Sequence, residues 1–96
     1  MSPKRYRRDD WAVFTAVGAA YVVVPLRRNG GMLEDNVLLL EETAARLWEL
    51  LAEVRSSTEL EETLLREYQA EPEQLRGDLH RFLGQLERLL AAEVVV

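Results

Sequence analysis

The chain contains no cysteine, which excludes disulfides, thiolate nucleophiles and cysteine-ligated metals. No apolar run approaches the roughly 20 residues of a membrane-spanning helix. The basic residues near the start are not followed by the apolar stretch of a secretory signal. A cytoplasmic address fits these absences. Histidine occurs once, as His80, with no His-x-x-x-His or Glu-x-x-His partner. Glu87, two helical turns on, makes a poor second ligand, so His80 reads as an ordinary helix residue and no metal is expected. Serine occurs only at Ser2, Ser56 and Ser57, none within a Gly-x-Ser-x-Gly elbow. Gly30-Gly31 is followed by Met-Leu-Glu and not by Lys-Ser/Thr, so no phosphate loop is present. The Glu pairs 41/42 and 61/62 read as helix-terminal or solvated charges. No nucleophile, base and oxyanion donor stand together, so neither catalysis nor a cofactor is expected.

What the chain does contain is 96 residues with 48% apolar content, enough for one domain with one modest core. Charge is unevenly placed. Lys4, Arg5, Arg7 and Arg8 against Asp9 and Asp10 leave the first ten residues at +2, while eight bases and fifteen acids leave the rest at −7. A duplex-binding domain has the opposite balance, because phosphate neutralisation dominates its affinity. Residues 1–10 lack an apolar period and read as a flexible basic arm, with a single domain over 11–96.

Apolar spacing divides that domain in two. Residues 11–17 alternate as a strand, with Trp11, Val13, Thr15 and Val17 on one face and Ala12, Phe14 and Ala16 on the other. Gly18 permits a tight turn, and 20–26, rich in Val and Tyr, form a second strand. Pro25 belongs at its end or facing outward, since it donates no ladder bond. Asn29-Gly30 signals a hairpin, and 37–40 make a third strand. Either Leu38 and Leu40 or Val37 and Leu39 fill the core, and the remaining pair needs a cover.

Period then changes from two to 3.6. Ala44, Leu47, Trp48 and Leu51 mark a helix over about 42–54. Thr58 with Glu61 forms a capping-box pattern for a second helix carrying Leu60, Leu64, Leu65 and Tyr68. Pro72 opens a third, whose Leu75, Leu79, Phe82, Leu83, Leu86, Leu89 and Leu90 recur at three- and four-residue steps. Gly77 and Gly84 interrupt it where backbone or a ligand could approach. Residues 93–96 end the chain as a short strand or a frayed end. The order is α+β, winged-helix-like: a three-stranded antiparallel sheet followed by three helices. Three strands alone bury too little, so the helices must cover one face. If strand order follows sequence, 37–40 form an edge able to accept an extended peptide, with the third helix beside it.

These residues resemble a known family. Leu40-Glu41-Glu42-Thr43-Ala44-Ala45-Arg46-Leu47-Trp48-Glu49-Leu50-Leu51 is similar to the Leu-Asn-x-Thr-Ala-x-x-(Ile/Leu)-Trp-x-Leu-Leu segment of PqqD-like proteins. Asp78-Leu79 with Phe82-Leu83 and Leu86 is similar to their Asp-(Val/Leu)-x-x-Phe-Leu-x-x-Leu helix. Glu41 departs from the family's Asn, and Ala91-Ala92-Glu93 lacks its common glycine. The resemblance covers 11–96 and implies a RiPP precursor-peptide recognition element of the stand-alone PqqD or lasso-peptide type. Such a protein binds a leader peptide as an added strand and delivers it to a modifying enzyme, either a radical-SAM protein or a leader peptidase. Carried onto this chain, it implies that Asn36, Val37, Leu38 and Leu39 bond the leader through main chain. Leu79, Phe82, Leu83 and Leu86 then offer apolar pockets, with Arg76 and Asp78 holding polar groups. The expected protein is a monomer or weak dimer that binds neither nucleic acid nor membrane. Two rivals are a winged-helix DNA-binding regulator and a module that dimerises through its edge strand.

Overall fold

A computed structural model of the chain describes residues 4–26, 28–29, 32–33, 37–89 and 91–95. Arg5–Arg8 forms β1, Ala12–Val17 β2 and Ala20–Pro25 β3. Arg28–Asn29 (β4) and Met32–Leu33 (β5) make a two-rung ribbon, followed by Leu38–Leu40 as β6. The helices are α1 (Thr43–Leu50), α2 (Ser57–Glu67) and α3 (Pro72–Arg88), with β7 (Arg55–Ser56) between the first two and β8 (Ala92–Val95) at the end. This is the expected α+β order.

The meander forms as its alternation requires. β3 pairs antiparallel with β2 on one side and β6 on the other, giving the order β2-β3-β6. Phe14 faces Val23 and Val23 faces Leu38, so this row and the neighbouring Tyr21–Leu40 pair point at the helices. Gly18 takes φ 63° in the β2–β3 turn, where a side chain would be strained. Pro25 stands at the last rung of β3 and is buried, so its missing N–H interrupts no ladder. Asn29 pairs with Met32. Gly30, Gly31, Asp35 and Asn36 lie outside the described residues.

The basic start of the chain is a correction. Residues 5–8 are not a loose arm: Arg5–Arg8 is the central strand of a second sheet, ordered β7-β1-β8. Arg5 pairs with Ser56 and with Val95, and Arg8 with Ala92. Beyond the ladder, Arg8 N donates to Leu51 O at 3.0 Å and Asp9 N to Ala91 O at 2.9 Å. Tyr6 is buried in the core, and Arg7 pairs with Glu93 across the sheet. The strand is held by main chain, by its arginines and by one buried apolar side chain, Tyr6, so it leaves no apolar period to find. The closing segment pairs with this strand and not with the meander.

The same sheet moves two helix boundaries. Arg55 and Ser56 are drawn to β1, so α1 ends at Leu50, where Arg55 Nε donates to the Leu50 carbonyl at 3.0 Å. Ser56, not Thr58, caps α2: its Oγ accepts from Glu59 N at 3.1 Å. Gly77 and Gly84 mark no close approach, since a Cβ at either would meet nothing within 4 Å.

One core joins both sheets and all three helices, built from Val23, Leu47, Trp48, Leu51, Leu60, Leu64, Leu83 and Leu86. Outside it, Arg46 clasps Glu67 through two bonds of 2.7 and 2.8 Å, tying α1 to α2. The Tyr21 hydroxyl donates to Glu49 at 2.6 Å, tying β3 to α1. The Tyr21 bond holds Glu49 below the usual carboxylate range, as the Arg46 bonds hold Glu67. Folded-state values below unfolded ones stabilise the fold above that range, and the contribution is lost as pH falls through it.

Candidate functional site

Among the described residues β6 has one strand neighbour. Tyr21–Leu40, Val22–Leu39 and Val23–Leu38 set its register against β3, and among the described residues no strand pairs with its other side. That side therefore presents unpaired main-chain donors and acceptors. α3 runs alongside. Phe82, Gln85, Leu86 and Leu89 fall at i, i+3, i+4 and i+7 and so share one helix face. With residues 37–40 they line a groove of about 320 Å³. Leu40 is buried and Leu38 half-buried on the core side, while Val37 and Leu39 stay exposed. The β6 edge and this groove form the candidate site.

A second groove, about 340 Å³, opens on the other flank of Phe82. Leu47, Leu64, Leu75 and Leu79 line it, with Glu41, Glu42 and Asp78 also on its wall. Phe82 is the residue common to both grooves. Glu42, which leads into α1, holds φ 54° and ψ −122°, a region that an L side chain adopts at a penalty of about 1–3 kcal/mol. Glu42→Gly is therefore expected to stabilise the fold, by about 1 kcal/mol once the greater freedom of the unfolded glycine chain is counted. Urea melts monitored by circular dichroism read this directly, and a less stable variant would refute it.

The residues singled out in the sequence fall into three groups. Val37, Leu38, Leu39, Phe82 and Leu86 do meet around the β6 groove. Asn36 lies outside the described residues. The others sit elsewhere. Leu83 is 1% exposed and belongs to the core. Leu79 is buried and borders the second groove. Asp78 also faces that second groove, accepting from Arg81 Nη2 at 2.9 Å and from Gln74 Nε2 at 3.3 Å. Arg76 donates to Glu61 on α2 at 2.9 and 3.1 Å, and this pairing raises its pKa. The apolar arc of α3 is wider than the groove, because the helix packs on α2 and the core as well. Periodicity gave the arc but not its division. Leu40, Gln85 and Leu89 were missed as wall residues; the i, i+3, i+4, i+7 series from Phe82 contains the last two. Among the described residues no acidic or histidine cluster could hold a metal ion, and no helix is long and apolar enough to cross a membrane.

The family model described as coenzyme PQQ synthesis protein D (PqqD) matches residues 20–89. That span runs from β3 to the end of α3 and contains both walls of the groove. The chain belongs to the PqqD family, as its Trp48 and Asp78 segments imply. No curated protein sequence matches it. Among solved structures, TbiB1 in complex with the TbiA(beta) leader peptide is similar, with a TM-score of 0.77 at 22% identity. The match covers 94% of this chain and 98% of that one, so the likeness in fold extends over nearly all of both.

Proposed function

We propose that the protein binds the leader segment of a ribosomally made precursor peptide as an added strand on β6. It presents that peptide to a modifying enzyme, a radical-SAM protein or leader peptidase, and catalyses nothing itself. The observation that carries this reading is the open β6 edge lying against an apolar groove on α3. Strand addition needs both features: main-chain bonds give affinity, and pockets for alternate side chains give selectivity. Family membership and the fold shared with TbiB1, which was solved with a leader peptide, support the same reading.

The sheet has a second edge, β2. The pocket beside it is bordered by Arg7, Arg8, Asp9 and Asp10, a polar setting less suited to the apolar side chains of an added strand. DNA binding is disfavoured by charge. On α3, Arg76 is occupied by Glu61 and Arg81 by Asp78, leaving little free positive charge for phosphates.

The test is a fluorescence-polarisation titration with a labelled leader peptide from the precursor encoded beside the gene. Saturable binding in the micromolar range or tighter is expected, competed by unlabelled leader and not by duplex DNA. Absence of saturation at millimolar protein would contradict the proposal.

A further inference from the structure

The second groove continues the first. Residues 37–40 line the β6 groove together with 82–89 of α3, and residues 41–44 line the second groove together with 74–82. The helix thus runs back along the chain that leads from β6 into α1, and Phe82 stands where the two grooves meet. A strand added on β6 that keeps its course past Leu40 enters the second groove. From Phe82 to Gln74 the helix rises about 12 Å, a length that an extended chain covers in about four residues.

The two grooves differ in charge. Among the described residues no charged side chain lines the β6 groove. The second has an apolar floor of Leu47, Leu64, Leu75 and Leu79, and Tyr68 adds an aromatic ring to that of Phe82. Glu41, Glu42 and Asp78 border it, and among the described residues no Lys, Arg or His does. Arg81 takes up Asp78, whereas Glu41 and Glu42 are exposed and have no ion-pair partner among the described residues. Their charges outweigh the partial positive charge, about half a unit, of the adjoining α1 N-terminus. The acids do not converge as a metal site, so the rim suits a cation carried on a long side chain. Glu42 holds its carboxylate there at φ 54°, where glycine would be less strained. Backbone strain of this kind concentrates at ligand clamps, and a rim charge is what glycine would not supply.

We propose that the second groove reads a basic residue of the same leader peptide. A Lys or Arg within about four residues of the segment paired with β6 lays its aliphatic stem on the leucines and its cation against Glu41 and Glu42. Its access to the groove rests on the proposed strand addition at β6. Lys and Arg fit both parts of the groove, since their stems cover apolar surface while their heads stay in water, and aromatic faces attract cations. The rim selects more than it binds. An exposed ion pair contributes modestly, but a leader with Glu or Asp at that position meets three like charges.

The test is a titration of the full chain with the leader encoded beside the gene and with copies in which each Lys or Arg is singly replaced by Gln. One replacement, next to the β6-paired segment, should weaken binding about fivefold. In the E41Q/E42Q variant, with native circular dichroism, that replacement should have no further effect, and leader affinity should fall less steeply with salt. Glu42→Gly should bind the leader less well although it is the more stable protein, a pairing that a purely structural role would not produce. Leader binding that protects the amides of 37–40 but shows no sensitive basic residue would overturn the inference and leave the proposed function standing. So would losses in peptide and protein that simply add. Absence of saturable leader binding would overturn both.

Discussion

Trp48→Ala is expected to lower the unfolding free energy by about 3–5 kcal/mol, as removal of a large aromatic from a core generally does. Trp48 is fully buried and joins three parts of the molecule. Phe14 of β2 meets its ring edge-on at 5.4 Å. The Arg8 guanidinium of β1 lies 4.9 Å from its ring centre and 4.5 Å from that of Phe14. Arg8 Nε also donates to the Trp48 carbonyl at 2.8 Å. Truncation therefore opens a cavity where the two sheets and α1 meet. For a domain whose total stability is of the order of 5–15 kcal/mol, that approaches the folding threshold. Trp48→Phe should be far milder. Among the described residues the buried indole Nε1 has no hydrogen-bond partner, and removing an unpaired buried donor recovers about 1–3 kcal/mol against the lost volume. Urea denaturation of the two variants reads both effects. A loss below about 1 kcal/mol for Trp48→Ala would remove Trp48 from the centre of the fold.

Phe82→Asp is expected to weaken leader binding by about 30-fold or more, the equivalent of an aromatic anchor contributing about 2 kcal/mol. Phe82 is the wall shared by both grooves and is only half-buried, so the fold should survive the change. The new carboxylate would lie on the same helix face as Asp78 and on a wall shared with Glu41 and Glu42, adding like charge where an apolar surface is needed. Phe82→Leu should keep most of the affinity. The contrast is Leu83→Asp, one residue along, which buries a charge in the core and should unfold the protein. Affinity within about twofold of wild type for a natively folded Phe82→Asp would remove α3 from the site, since a hot-spot side chain costs more than that.

The parts of the fold built on side-chain pattern were legible in the sequence. Alternation over 11–17 and the Val- and Tyr-rich 20–26 predict the meander, the change of period after Leu40 predicts α1, and the leucine series predicts α3. What escaped was built on main chain. Arg5–Arg8 and Arg55–Ser56 pair through their backbones, and apart from the single buried Tyr6 they carry charged or small side chains, so their sequences look like a tail and a loop. Thr58 satisfied the capping pattern, yet the ladder between Ser56 and Arg5 started the helix earlier and left Ser56 as the cap. The candidate site was legible to the level of elements. That residues 37–40 form an edge beside α3 followed from strand order. Which leucines face the groove did not, because Leu79, Leu83 and Leu86 have the same chemistry and differ only in the neighbour each meets. Arg76, which the resemblance implies for the site, instead has its charge taken up by Glu61 on α2.

The most direct measurement is amide hydrogen exchange with and without saturating leader peptide. Those amides of residues 37–40 that do not donate to β3 should slow by at least about tenfold, the level expected when a new ladder bond contributes about 1.4 kcal/mol. Amides on the outer side of β2 should be unchanged. Saturated binding that leaves residues 37–40 exchanging as before, or that protects β2 instead, would contradict strand addition at β6.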